Sequence, residues 1–128
     1  MNDRTAIILG ASGSVGQALL GELLRCDAFS QIIALTRQPL NASTDARVKQ
    51  RLVLDMTPAN LEQAAVEALT ECYNEAVGFS VLGVGAGTAK LSLAQHRAVD
   101  VELNAAFARG LKASGKVQHF AFMSAIGA

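Results

Sequence analysis

Three glycines spaced three apart, Gly10, Gly13 and Gly16, stand between the apolar run Ile7-Ile8-Leu9 and a stretch with helical periodicity. Residues of these types at this spacing can hold an anion. Where a strand turns sharply into a helix, the free N–H groups of the helix's first turn converge, and a backbone without side chains there lets a phosphate lie against it. Gly10 can take a turn conformation that a Cβ disfavours, Gly13 clears the phosphate position, and Gly16 lets the helix pack closely on the strand. Ser12, Ser14 and Val15 complete the turn, with Ser14 as the helix cap. A strand before and a helix after are the context in which such glycines mark a dinucleotide site.

Other stretches could touch the same ligand. Gly83-Val84-Gly85-Ala86-Gly87 follows a later apolar strand and reads either as a loop where backbone approaches the ligand or simply as a mobile loop. The second strand ends Leu35-Thr36-Arg37, where a site for NAD would place an acidic residue against the adenosine ribose. A guanidinium there pairs instead with a ribose 2′-phosphate, which a carboxylate would repel, so the expected cofactor is NADP rather than NAD. Ser12 can donate to that phosphate. Arg47, Lys49 and Arg51 add basic charge nearby, although such charges read first as a solvated face. Asp55, closing the third strand, can accept from an adenine amino group with the Met56 backbone beside the ring; serving the entry of the following helix is an equal reading.

The elements that must position these residues alternate along the chain. Thr5 to Leu9 is an apolar, interior-type strand, and Ser14 to Cys26 a helix with Val15, Leu19, Leu20, Leu23 and Leu24 on one face. Gln31 to Leu35 is the second strand, the polar stretch Arg37 to Gln50 a loop, and Arg51 to Leu54 the third strand. Thr57 and Pro58 then open a helix whose buried stripe is Leu61, Ala64, Ala65, Ala68 and Leu69. Gly78 to Leu82 is the fourth strand, and a helix from Ser92 to Ser114 buries Val99, Leu103, Ala106, Phe107 and Leu111 and stops at Gly115. Val117 to Met123 is the fifth. This alternation predicts an α/β fold, a Rossmann-type parallel sheet of about five strands in the order 3-2-1-4-5, as a single domain over residues 1–128. The ligand crevice then lies between the ends of the first and fourth strands.

Bulk properties narrow the partners. Lysine plus arginine balance aspartate plus glutamate at 11 each, so no overall field favours nucleic acid or an anionic membrane. The apolar runs fall short of the roughly 20 residues that span a bilayer, and Met1-Asn2-Asp3-Arg4 carries no signal-peptide pattern, so a cytoplasmic location is expected. Cys26 and Cys72 belong to no CxxC pair and read as reduced thiols at helix ends. His96 and His119 have no second ligand at metal spacing, and no metal site is expected.

Taken together, Ile8-Leu9-Gly10-Ala11-Ser12-Gly13-Ser14-Val15-Gly16, Leu35-Thr36-Arg37, Leu54-Asp55, Leu82-Gly83 and His119-Phe120-Ala121-Phe122-Met123-Ser124 resemble the atypical, extended-type short-chain dehydrogenase/reductases. The nearest group is that of the NmrA-like and Tat-interacting-protein-like NAD(P)-binding proteins, and the resemblance covers the whole chain. It implies an NADP-binding oxidoreductase or epimerase fold, with catalysis by a serine or threonine after the fifth strand and by a tyrosine and lysine four residues apart in a later helix. Of the family's paired hydroxyl residues the second is the one that acts; Ser124 fills the first place and Ala125 the second, so Ser124 is the one catalytic candidate only if the register is shifted by one. The one tyrosine, Tyr73, lies on the wrong helix. The chain is therefore expected to be an amino-terminal portion of such an enzyme, truncated relative to the family and inactive alone, with an unknown small-molecule substrate. A non-catalytic NADP-binding regulatory module, as in NmrA-like proteins, is the alternative. The apolar fifth strand, left without the family's later elements, is expected to form a homo-oligomer together with the preceding helix.

Overall fold

The segment Arg4–Leu9 (β1) buries every residue after Arg4, and an apolar run without polar alternation must be covered on both faces. It is the central strand of a parallel sheet that also contains Phe29–Thr36 (β2), Val48–Leu52 (β3), Ala76–Ser80 (β4) and Val117–Phe122 (β5), in the order β3-β2-β1-β4-β5. Three helices connect them: Ser14–Arg25 (α1), Pro58–Thr70 (α2) and Leu93–Ser114 (α3). This is a computed structural model, and it describes residues 4–11, 14–26, 28–37, 46–72, 75–81 and 93–122.

Alternation along β1 divides the core. Ile7 and Leu9 face α2 and α3 in a layer with Ile33, Leu35, Leu61, Leu69, Leu103, Phe107 and Leu111, whereas Ala6 and Ile8 face α1 with Leu20, Leu23, Phe29, Ile32 and Ala34. Thr57 caps α2 by accepting from the Asn60 backbone N–H at 3.2 Å, and Pro58 follows at the first helical turn, where its missing donor costs nothing. The stripe Leu61, Ala64, Ala65, Ala68 and Leu69 is buried as the periodicity predicts. α2 and α3 pack so closely that a Cβ on Gly110 would stand 2.8 Å from the Glu62 carbonyl oxygen and 2.9 Å from the Ala65 Cβ. Arg109 adds an ion pair to Glu62 at 2.9 Å across this seam.

The sheet order is the one expected, and the differences lie at strand ends. β3 starts at Val48, inside the stretch read as loop, and stops at Leu52 rather than Leu54. Its physical character explains the shift: an edge strand buried on one side only shows little of the apolar pattern by which interior strands are found, and Val48-Lys49-Gln50-Arg51-Leu52 is mostly exposed. β2 starts two residues early at Phe29, whose ring meets that of Phe79 edge-on at 6.1 Å, and β4 starts two early at Ala76. Cys26 is exposed and Cys72 buried, both as free thiols. Among the described residues no helix is long and apolar enough to cross a membrane.

Candidate cofactor site

At the carboxyl end of β1 the chain turns at Gly10, with φ of 94°, a backbone conformation that L side chains rarely adopt. Ala11 is wholly buried and α1 begins at Ser14, so the amino-terminal turn of the helix rises directly from the end of the central strand. Gly16 lies against that turn. A Cβ there would stand 2.0 Å from the Gly10 carbonyl oxygen and 2.7 Å from the Ala11 Cα, so the first turn of α1 sits backbone to backbone on the strand-to-helix turn. This turn suits a pyrophosphate, because it brings the free N–H groups of a helix N-terminus to the end of the central strand. Val15 beside it is partly exposed. Ser12 and Gly13 lie outside the described residues.

The end of β2 forms one flank. Thr36 is buried, and its hydroxyl accepts from Gln50 Nε2 of β3 at 2.7 Å, while its carbonyl accepts from Val53 N–H at 2.7 Å. Arg37, the next residue, is exposed, and none of the ion pairs seen among the described residues includes it. The other cations are placed differently. Arg51 turns to the α2 side, where it pairs with Glu67 at 2.5 Å and Glu71 at 3.9 Å. Arg47 donates to the Leu24 carbonyl at 2.5 Å and the Phe29 carbonyl at 3.5 Å, which ties it to the last turn of α1 and the beginning of β2, at the opposite end of the sheet. Lys49 is exposed on β3. Arg37 thus stands apart from Arg47 and Arg51, though not from Lys49.

Asp55 and Met56 occupy the corner between β3 and α2. The Asp55 carbonyl accepts from Thr57 N–H at 2.9 Å and from Asn60 Nδ2 at 2.8 Å, so Asn60 braces the corner from the first turn of α2. The Asp55 side chain is exposed, and Met56 packs partly on the core beneath. Asn60 escaped the sequence reading, since its amide donates to a carbonyl outside the helix and follows no capping pattern.

On the other flank, β4 ends at Ser80, and Val81 N–H bonds to the Leu9 carbonyl at 3.0 Å, keeping the chain beside β1 up to Gly10. Ser80 is 1% exposed, and its hydroxyl donates to the Asn104 side-chain oxygen on α3. No sequence signal joins two polar residues 24 positions apart. Gly83, Val84, Gly85 and Ser124 lie outside the described residues. Among the described residues no group of three or more His, Cys, Asp or Glu could hold a metal ion. A groove of about 210 Å³ lined by Leu111, Lys112, Gly115, Val117 and Phe120 lies where α3 ends and β5 begins, away from the crevice.

The fold is that of known dehydrogenases. A short chain dehydrogenase family protein from Francisella tularensis matches with a TM-score of 0.67 at 14% identity over 92% of this chain and 49% of its own. Uronate dehydrogenase from Agrobacterium tumefaciens matches with a TM-score of 0.65 at 15% identity over 97% of this chain and 41% of its own, and a variant of it is solved in complex with NAD. A short-chain dehydrogenase/reductase from Serratia marcescens matches with a TM-score of 0.62 at 20% identity over 91% of this chain and 56% of its own. The chain thus spans about half the length of these proteins. No curated protein matches it in sequence. Residues 8–110, which run from within β1 through the glycine turn and into the last part of α3, match the profile of the NAD-binding family described as male sterility protein, and the chain belongs to that family.

Proposed function

We propose that the chain binds NADP(H) in preference to NAD(H), and that it is the cofactor-binding part of an oxidoreductase or epimerase of the short-chain dehydrogenase/reductase kind acting on a small-molecule substrate. One observation carries the cofactor choice: Arg37 is exposed at the carboxyl end of β2, outside the ion pairs seen among the described residues, with no carboxylate in Leu35-Thr36-Arg37. A guanidinium in that position matches a 2′-phosphate with two parallel hydrogen bonds. In this reading the Gly10–Gly16 turn and Ser14–Val15 at the start of α1 take the pyrophosphate. Ser12 joins Arg37 at the 2′-phosphate, Asp55 and Met56 take the adenine, and Gly83, Val84 and Gly85 border the nicotinamide.

Bound NADP(H) supplies or takes up a hydride at its nicotinamide ring. The chain's own part is to orient that ring and, through Ser124, to hydrogen-bond the reacting oxygen. A proton must move with the hydride, and the resemblance assigns that to a tyrosine and lysine four residues apart. Tyr73 is followed four places later by Val77, so the 128 residues hold no such pair and are expected to bind cofactor without turnover.

Titration with NADPH and NADH, by nicotinamide fluorescence or calorimetry, tests the reading. NADPH is expected to bind tighter by roughly tenfold or more, with the preference lost in Arg37→Ala. Equal affinities, or a preference for NADH, would overturn the NADP assignment. Gly13→Val should remove binding of both. Turnover is then assayed with a longer form of the protein that contains Tyr-x-x-x-Lys. Reduction of carbonyl compounds supports the enzyme, and cofactor binding without any reduction supports the NmrA-like regulatory module instead.

A further inference from the structure

Buried polar side chains among the described residues are few, namely Thr5, Thr36, Ser80 and Asn104, and two of them are bonded to each other. Ser80 ends β4 and Asn104 sits in mid-α3, where Leu103, Ala106, Phe107 and Leu111 supply the buried face. An apolar residue at position 104 would serve packing without the desolvation that a buried amide incurs. The pair fixes something that apolar contacts alone leave free, namely the height of the β4 terminus against α3. Ridge-and-groove packing allows one element to shift along another, whereas a bonded hydroxyl and amide have one setting.

That terminus borders the crevice. Ser80 is in register with Leu9 of β1, the residue before Gly10, and Val81 is bonded to Leu9 in turn. In a sheet ordered β3-β2-β1-β4-β5 a dinucleotide spans the switch point, so the half that meets Arg37 lies over β2 and the other half extends toward β4. We propose that Asn104 is a positioning residue for the nicotinamide half of the cofactor: acting through Ser80, it holds the carboxyl end of β4 where that half must lie. The proposal rests on the dinucleotide reading above. Asn104 touches no reacting atom in this account, and its effect is on one half of the ligand alone.

The test compares the full chain with Asn104→Leu and with the double variant Ser80→Ala/Asn104→Leu. The double variant removes both members of this bond together. The probes are NADPH and 2′-phospho-ADP-ribose, the same molecule without its nicotinamide. In the double variant NADPH is expected to bind about fivefold to tenfold more weakly, with the emission of the bound nicotinamide shifted toward that of free NADPH. The fragment is expected to bind as it does to wild type, and circular dichroism to show an unchanged fold. If NADPH and the fragment weaken in parallel, or if the double variant binds both like wild type, Asn104 is a packing residue and the proposal is wrong. A wild-type chain that binds neither probe overturns the dinucleotide reading itself, and this role with it.

Discussion

The two flanks of the crevice are built by opposite means. Where β1 enters α1 the structure depends on atoms that are missing: Gly16 has no room for a Cβ, and Gly10 takes a φ of 94°. Where β4 meets α3 it depends on atoms that are present, the Ser80 hydroxyl and the Asn104 amide in an otherwise apolar layer. Backbone packed on backbone leaves no room at Gly16, so a side chain there must displace the helix. The second flank is held by a side-chain bond, which substitution can remove without placing a new atom in the core. Rigidity at the strand-to-helix turn thus comes from the main chain, and at the end of β4 from a side-chain contact.

Gly16→Ala should have the largest effect, because even a methyl group would lie 2.0 Å from a carbonyl oxygen that is itself part of the turn. The helix must move to admit it, at a cost of about 1–3 kcal/mol in stability and the loss of measurable cofactor binding. A melting curve and an NADPH titration check both, and near-normal binding by this variant would break the contrast between the flanks. Gly110→Ala comes next. Its Cβ meets the Glu62 carbonyl oxygen at 2.8 Å and forces α3 off α2, so the melting temperature should fall while the nicotinamide half of the ligand is affected more than the adenosine half. Comparing NADPH with its nicotinamide-free fragment measures that difference.

Smaller effects sharpen the same picture. Arg51→Ala removes pairs to Glu67 and Glu71 that are half-exposed, and it should cost less than about 1 kcal/mol and leave the NADPH-to-NADH preference intact. A change in that preference would mean that Arg51, and not Arg37 alone, reads the 2′ position. Gly21→Ala is the control for glycine chemistry: nothing lies within 4 Å of its would-be Cβ in mid-α1, so the substitution should raise stability by about 0.4–1 kcal/mol without touching the cofactor. Urea unfolding resolves a change of that size.

Local pattern alone determined much of this protein. The uninterrupted apolar run of β1, the helical stripe of α2 behind Thr57 and Pro58, and the glycine spacing at 10, 13 and 16 each report a constraint that acts between near neighbours in the chain. Their order sufficed for the strand sequence β3-β2-β1-β4-β5, since right-handed crossovers leave few alternatives. The start of β3 was not legible, because an edge strand with one buried side carries too few apolar residues to mark it. What Arg47 and Arg51 do was not legible either: they read as a solvated face, and only the fold sends Arg47 to the last turn of α1 and Arg51 to Glu67 on α2. The partnership of Ser80 with Asn104 belongs wholly to the tertiary structure. Two short polar side chains in separate elements acquire a shared meaning only when packing closes the distance between them and takes the water away, since a buried hydroxyl must find a partner and an exposed one need not.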